Sequence, residues 1–305
     1  MKNKIKWIEE RLERIYKRLE KCDLCPRECG VNRLKGEKGF CGVGEEIVIY
    51  TAFIHKGEEP PIVGEKGSGT IFFSGCNLKC VYCQNYKFSH LLAGKIVSTQ
   101  ELAELILTLQ DKGVENINLV TPTHFLPQIL KSLLLAFKKG FNLPIVYNTS
   151  GYEKKENIEE LKEIIDIYLP DMKYFNKQLA YRYSYAEDYP FFAKRAIREM
   201  YSQKEKELNH PCLIIRHLVL PGHTEDTKDI LLWINNNLSK SYVSVMFQYQ
   251  PYFKAGNYSI NRRVTREEYE EILEFLGRLN LQGWIQELET HQELAGVYFS
   301  PGIHL

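Results

Sequence analysis

Three cysteines with a short, regular spacing offer the clearest chemistry in the sequence. Cys76, Cys80 and Cys83 form a Cys-x3-Cys-x2-Cys pattern directly after an apolar strand candidate, Thr70–Phe73. Each thiolate can bind one iron of a cubane, and the close spacing lets one loop enclose one cluster. A four-iron cubane then keeps one iron without a protein ligand, which is the open position that a catalytic metal needs. Buried structural thiols and a three-ligand zinc site are the alternative interpretations of this spacing.

A second group of four cysteines lies near the N-terminus. Cys22, Cys25, Cys29 and Cys41 stand in a glycine-rich segment that has few apolar residues. Such a segment needs a cross-link, such as a bound metal, to fold. Four thiolates can close a tetrahedral zinc site or saturate a [4Fe–4S] cluster. We predict a second metal centre here, zinc or iron–sulfur, that is structural or electron-transferring.

Composition limits the environment of the protein. The eight cysteines are mostly clustered, which in a reducing cytosol favours metal binding over disulfides. Lys plus Arg number 40 against 39 for Asp plus Glu, so no bulk charge attracts nucleic acid. No apolar run approaches the roughly 20 residues of a membrane span, and the charged N-terminus lacks the features of a secretory signal. We therefore expect a cytoplasmic protein without a membrane partner.

The residues around the triplet resemble the signature of the radical S-adenosylmethionine (SAM) superfamily, in the branch of the pyruvate formate-lyase activating enzymes. The match includes each cysteine, the aromatic Tyr82 and Asn85, and similar motifs continue over roughly residues 70–255. An uncharacterised subgroup with a T-P-T-H segment and an N-terminal Cys cluster is the most similar. The resemblance implies a [4Fe–4S] cluster that binds SAM, cleaves it reductively and yields a 5′-deoxyadenosyl radical, which abstracts hydrogen from a substrate.

The same resemblance implies a set of cofactor-binding residues. Two departures accompany it: T-P-T-H, which includes His124, replaces the Gly-Gly-Glu motif often found there, and a Gln replaces a His that contacts SAM in the activating enzymes. The implied residues are Tyr82, Gln84, Asn85, Thr121, Thr123, Asn148, Ser150, Asp171, Lys173, Arg216 and Gln250.

Simple chemistry allows some of these side chains a direct role. Asp171 can accept hydrogen bonds from ribose hydroxyls, and Lys173 or Arg216 can pair with the carboxylate of SAM. The alternative for each is an ordinary salt bridge at the rim of the sheet. We predict that SAM lies across the carboxyl ends of the strands.

Two functions from different classes follow. The first is a radical SAM enzyme supplied by a reductant such as flavodoxin or ferredoxin, with a glycyl residue of a partner protein as the hydrogen donor that the resemblance suggests. The second is a non-catalytic iron–sulfur or zinc protein for electron transfer or scaffolding. The triplet favours the first, because an electron carrier normally saturates its cluster with four ligands.

The elements that must position these residues alternate between strands and helices. Periodicity predicts a helix over 4–20, a strand over 46–54, and further strands over 70–73, 116–120, 144–147, 167–169, 213–220, 243–247 and 284–286. Helices are predicted over 98–112, 125–139, 154–165, 176–206, 224–238 and 265–279. Continuous apolar strands indicate a parallel sheet covered by helices. We predict an α/β fold, a partial TIM-type (β/α)6 barrel of the radical SAM type over 46–305, with a small Cys-rich metal-binding segment over 1–45.

Overall fold

A computed structural model describes residues 1–288 and 296–304 and confirms the mixed α/β fold. All the predicted strands are present, with ends shifted by one or two residues in most cases. Two short strands, β3 and β10, were not predicted. The strands are β1 Ile47–His55, β2 Ser68–Phe73, β3 Lys95–Val97, β4 Ile117–Val120, β5 Ile145–Thr149, β6 Ile167–Pro170, β7 Ile214–Leu218, β8 Tyr242–Met246, β9 Gln282–Gln286 and β10 Gly302–His304.

The helices differ from prediction where a local conformation interrupts the apolar pattern. The helix predicted over 176–206 is two helices, because Tyr185 adopts a left-handed conformation with φ 54°. The helix predicted over 4–20 is also two, and the one over 154–165 ends at Glu160. The helices are α1 Lys2–Glu9, α2 Leu12–Lys17, α3 Pro60–Val63, α4 Tyr86–Ser89, α5 Thr99–Asp111, α6 Leu126–Lys138, α7 Lys155–Glu160, α8 Lys177–Ser184, α9 Tyr189–Lys204, α10 Thr224–Asn237 and α11 Arg266–Leu276.

Parallel strands dominate the two described sheets. The larger sheet has the order β10-β1-β2-β4-β5-β6, with β3 also paired to β1, and the smaller has the order β7-β8-β9. β2, β4, β5 and β6 are parallel neighbours, as are β7, β8 and β9, while β1 pairs antiparallel with β2. Parallel bridges from Tyr168 to Leu213 and from Asp171 to Arg216 connect β6 to β7. This order fits the predicted partial barrel.

The two faces of the sheet have different environments. On β5, Ile145 and Tyr147 belong to the main core, which the helices cover, whereas Val146 points to the opposite face. There Val146 packs with Leu169 and Ile214 in a separate inner cluster. Side chains on one face recur every second residue, so the next residue on the inner face lies two positions further along each strand, and there it is polar. That step leads to Asn148, Asp171 and Arg216.

The N-terminal helices pack on the outside of this sheet. α1 and α2 contact α6, and the Trp7 indole Nε1 donates to the Glu160 carbonyl at 2.8 Å. Lys4 pairs with Asp166 at 2.7 Å. The division into 1–45 and 46–305 stays a prediction, and residues 289–295 and 305 of the second part lie outside the described residues. In the described part of the chain, every helix is too short or too polar to cross a membrane.

Candidate active site

The loop after β2 carries the cysteine triplet, and hydrogen-bonding groups of this loop and of α8 lie against the sulfurs. Cys76 Sγ accepts from the backbone N–H two residues later at 3.4 Å. Ser184 Oγ donates to Cys80 Sγ at 2.9 Å, and Cys83 Sγ lies 3.1 Å from Ser89 Oγ. Donors that point at sulfur stabilise the thiolate relative to the thiol. These are the surroundings that a metal-binding thiolate requires.

The chemistry of the triplet fits an iron–sulfur cluster. Burial raises the pKa of Cys76 to about 12 and that of Cys83 to about 11, so metal binding must displace their protons. Three thiolates on one loop can each bind a different iron of a single cluster.

Residues outside the triplet hold the start of its loop in place. Gly75 has φ +85°, and a Cβ there would lie 2.8 Å from the Cys41 carbonyl oxygen. The His124 Nε2–H donates to the Ser74 carbonyl at 2.8 Å. Burial lowers the pKa of His124 to about 3, so the ring is neutral at physiological pH. His124, which the resemblance suggested as a SAM contact, therefore supports the triplet loop.

Charged residues at the ends of β6 and β7 form a buried network beside the triplet. Lys173 Nζ donates to Asp171 Oδ2 at 2.6 Å, and Arg216 Nε donates to Asp171 Oδ1 at 3.0 Å. Burial alone would raise the pKa of Asp171, but Lys173 and Arg216 outweigh it and hold that pKa below its ordinary value. Burial lowers the pKa of Lys173, yet Asp171 and then Cys80 raise it above the ordinary value. The network is therefore ionised and lies next to a triplet thiol.

A cavity joins the triplet to this network. Seven of the predicted cofactor-binding residues line it, together with two of the cysteines. The lining residues are Cys80, Tyr82, Cys83, Gln84, Asn85, Asp171, Lys173, Arg216, Leu218, Met246, Gln248, Tyr249, Gln250 and Tyr252. Gln250, the departure from the activating-enzyme motif, is among them. The cavity combines sulfur ligands, charged groups and aromatic walls in one place.

The other four predicted residues are not among the described residues that line the cavity. Thr123 Oγ1 donates to the buried Glu153 Oε1 at 2.5 Å. Asn148 Oδ1 accepts from Arg216 at 2.6 Å, so it supports the charged network from behind. Ser150 Oγ lies 3.4 Å from Asn77 Oδ1 in the triplet loop, and the Thr121 N–H donates to the Asn148 carbonyl. These residues surround the site but do not face the cavity.

Sequence reasoning missed three residues of the site. Glu58 accepts from Asn118 at 3.0 Å and lies 3.5 Å from Arg216 Nη1. Its neighbour Glu59 is buried, which raises the pKa of that carboxyl to about 7. Both belong to the Gly- and Pro-rich segment between β1 and β2, where no local sequence pattern indicates a buried carboxylate. Gln248 lies two residues before Gln250, and the period of two along an extended chain could have indicated it.

The second cysteine group lies against the triplet loop. Arg27, between Cys25 and Cys29, donates from Nε to the Asn77 carbonyl at 3.0 Å. The remaining cysteine, Cys212, lies buried just before β7 and outside both groups.

Comparison with known proteins gives the family. A sequence model described as the Radical SAM superfamily matches residues 70–234. The uncharacterized protein MJ0674 of Methanocaldococcus jannaschii is 39% identical over 271 residues, which cover 85% of this chain and 75% of that protein. The pyruvate formate-lyase-activating enzyme of Clostridium pasteurianum is 30% identical over 130 residues, which cover 40% of this chain and 52% of the enzyme.

Among solved structures, SuiB of Streptococcus suis is similar with a TM-score of 0.49 and 15% identity, over 70% of this chain and 47% of SuiB. The chain thus spans about half the length of SuiB and of the activating enzyme. The family match is the decisive result, because it includes the triplet, the T-P-T-H segment and the ends of β6 and β7. Since it covers more than half of the 305 residues, the chain belongs to the radical SAM superfamily.

Proposed function

We propose that this radical SAM enzyme binds its cluster through Cys76, Cys80 and Cys83 and binds SAM in the adjoining cavity. The observation that carries the proposal is the position of the charged network in the same cavity as Cys80 and Cys83. When bound, the cluster supplies the electron that breaks a C–S bond of SAM and gives a 5′-deoxyadenosyl radical. The protein must therefore hold the zwitterionic end of SAM beside the triplet.

Lys173 is suited to the carboxylate of SAM. Within the described residues, its hydrogen bond to Asp171 uses one of the three donors of the ammonium group, which leaves two for a ligand. Arg216 is already bonded to Asp171 and Asn148 and lies close to Glu58. We therefore assign Arg216 to positioning Asp171, and Asp171 to accepting hydrogen bonds from the ligand.

For the hydrogen donor we propose a glycyl residue of a partner protein. The similarity to the pyruvate formate-lyase-activating enzyme supports this choice, although it covers 40% of the chain. Flavodoxin or ferredoxin is the proposed reductant, and the cytoplasm the proposed location. The non-catalytic alternative is disfavoured by the family and by a cavity beside the triplet that can accept a ligand.

Cleavage of SAM tests the first part of the proposal. The anaerobically reconstituted protein, mixed with SAM and dithionite, should release 5′-deoxyadenosine. The variant with Cys76, Cys80 and Cys83 all changed to Ala should release none, while Cys212→Ala, a buried cysteine outside both groups, should keep the activity. Release of 5′-deoxyadenosine by the triple variant would contradict the assignment of the ligands.

The hydrogen donor is tested separately. Pyruvate formate-lyase labelled with deuterium at its glycines should transfer deuterium to 5′-deoxyadenosine and develop a glycyl radical signal in electron paramagnetic resonance (EPR). Formation of unlabelled 5′-deoxyadenosine alone would remove this protein as the partner and leave SAM cleavage intact.

A further inference from the structure

The four N-terminal cysteines are assembled as one group by their own backbone. The Cys22 N–H donates to the Val31 carbonyl and the Gly30 N–H to the Cys22 carbonyl, both at 2.9 Å. This pairing brings the chain after Cys29 back beside Cys22. The Phe40 N–H, from the residue before Cys41, donates to Cys29 Sγ at 3.2 Å, which brings the segment of Cys41 to Cys29. Residues separated in sequence by up to 19 positions therefore surround one place.

Each group contains a thiol whose sulfur accepts a hydrogen bond from the backbone. In the N-terminal group, Cys29 Sγ accepts from the Phe40 N–H at 3.2 Å. In the triplet, Cys76 Sγ accepts from the Leu78 N–H at 3.4 Å. Because such donors stabilise negative sulfur, both groups are built as thiolate ligands.

The two groups are in direct contact. A Cβ on Gly75, the residue before Cys76, would lie 2.8 Å from the carbonyl oxygen of Cys41. Arg27, between Cys25 and Cys29, bridges the same two segments, since its Nε donates to the Asn77 carbonyl at 3.0 Å. Electrons pass quickly between metal centres only over short distances, and the backbones of the two groups touch.

We propose that Cys22, Cys25, Cys29 and Cys41 bind a second [4Fe–4S] cluster, which passes electrons to the cluster of the triplet. Four thiolates leave no iron free for substrate, so electron transfer is the role open to it. An external one-electron reductant of the ferredoxin or flavodoxin type supplies one electron, which moves from the second cluster to the first. No bond is made or broken and no proton moves. This relay rests on the proposed function of the triplet.

Metal analysis tests the site. After anaerobic reconstitution, the wild-type protein should hold about eight irons, and variants that lack either the triplet or the N-terminal group about four each. Cys212→Ala should match the wild type. Zinc, or no metal, in the variant that keeps only the N-terminal group would overturn the proposal.

EPR spectroscopy and reduction kinetics test the electron relay, in the wild-type protein as well as in the variants. The EPR spectrum of the fully reduced wild type should show magnetic coupling that is absent from the sum of the two single-cluster variants. Reduction of the triplet cluster by reduced ferredoxin should be at least tenfold slower in the variant with all four N-terminal cysteines changed to Ala. An uncoupled wild-type spectrum or an unchanged rate would overturn the relay. If the spectrum of the triplet cluster in the wild-type protein did not change on addition of SAM, that result would instead contradict the proposed function.

Discussion

Arg216 and Asp171 are joined twice, once through side chains and once through the backbone. Arg216 Nε donates to Asp171 Oδ1 at 3.0 Å, and the same two residues form a parallel bridge between β7 and β6. The ion pair therefore lies at the junction of the two sheets and faces the cavity that contains Cys80. This pair thus forms one of the two bridges that connect the larger sheet to the smaller one, and it places a carboxylate beside the proposed cluster.

Asp171→Ala should weaken SAM binding and leave the cluster in place. Loss of a buried hydrogen bond to the ligand costs about 1–3 kcal/mol, which corresponds to a rise in Kd of roughly 5- to 150-fold. Titration of the reconstituted protein with SAM measures the Kd, and the cluster absorbance confirms loading. Asp166→Ala is the matched control, because Asp166 directly precedes β6 at its opposite end and pairs with Lys4. An unchanged Kd for Asp171→Ala would remove this residue from the site.

Local sequence patterns predicted the strands well but could not predict every contact between residues that are far apart in the sequence. β2, β4 and β5 each contain an apolar stretch and are fully buried, so their positions followed from composition. Glu58 contacts Arg216, which is far away in the sequence. No local pattern around either residue predicts that contact. β10 was missed because it is three residues long and pairs with the distant β1.

Gly75→Ala should destabilise the protein more than Gly140→Ala. Both glycines have positive φ, +85° and +99°, so an alanine at either position is strained by about 1 kcal/mol. Only at Gly75 would the new Cβ clash, 2.8 Å from the Cys41 carbonyl, while at Gly140 nothing lies within 4 Å. Urea denaturation should show a free energy of unfolding lower by a further 1–3 kcal/mol or so for Gly75→Ala. Equal losses in the two variants would disprove close packing of the cysteine groups.

Ser184→Ala should make the reduction potential of the triplet cluster more negative. The Ser184 hydroxyl donates to Cys80 Sγ at 2.9 Å, and such donors stabilise the reduced, more negatively charged cluster. A redox titration followed by EPR gives the potential. Ser184→Thr keeps the hydroxyl and should restore the wild-type value. Identical potentials in all three proteins would show that this hydrogen bond does not act on the cluster.

The T-P-T-H segment shows that the position of a residue after a strand does not determine the direction of its side chain. The segment does follow a strand and does lie beside the triplet loop, as the family resemblance indicated. However, Thr123 binds Glu153 and His124 binds the Ser74 carbonyl, so both face the core. The sequence predicts which strand a residue follows, but the conformation of the turn after the strand determines the direction of its side chain. Thr121, with φ 59°, makes that turn here.

Glu153→Gln should remove a pH dependence of stability between about pH 4.5 and 7. Burial raises the pKa of Glu153 from 4.5 to about 7, despite hydrogen bonds from Thr123, Thr149 and Tyr147 that favour the charged form. A carboxyl with a raised pKa stabilises the fold fully below its unfolded pKa, and this contribution is lost as the pH rises through the folded pKa. Raising a pKa from 4.5 to about 7 corresponds to roughly 3 kcal/mol.

Gln is neutral and keeps the Oε1 acceptor at position 153. The free energy of unfolding of Glu153→Gln should therefore exceed that of the wild type by up to that amount at pH 8. Urea denaturation of both proteins at pH 5 and pH 8 measures the difference. Parallel pH profiles would mean that Glu153 is ionised in the core, held by its three donors.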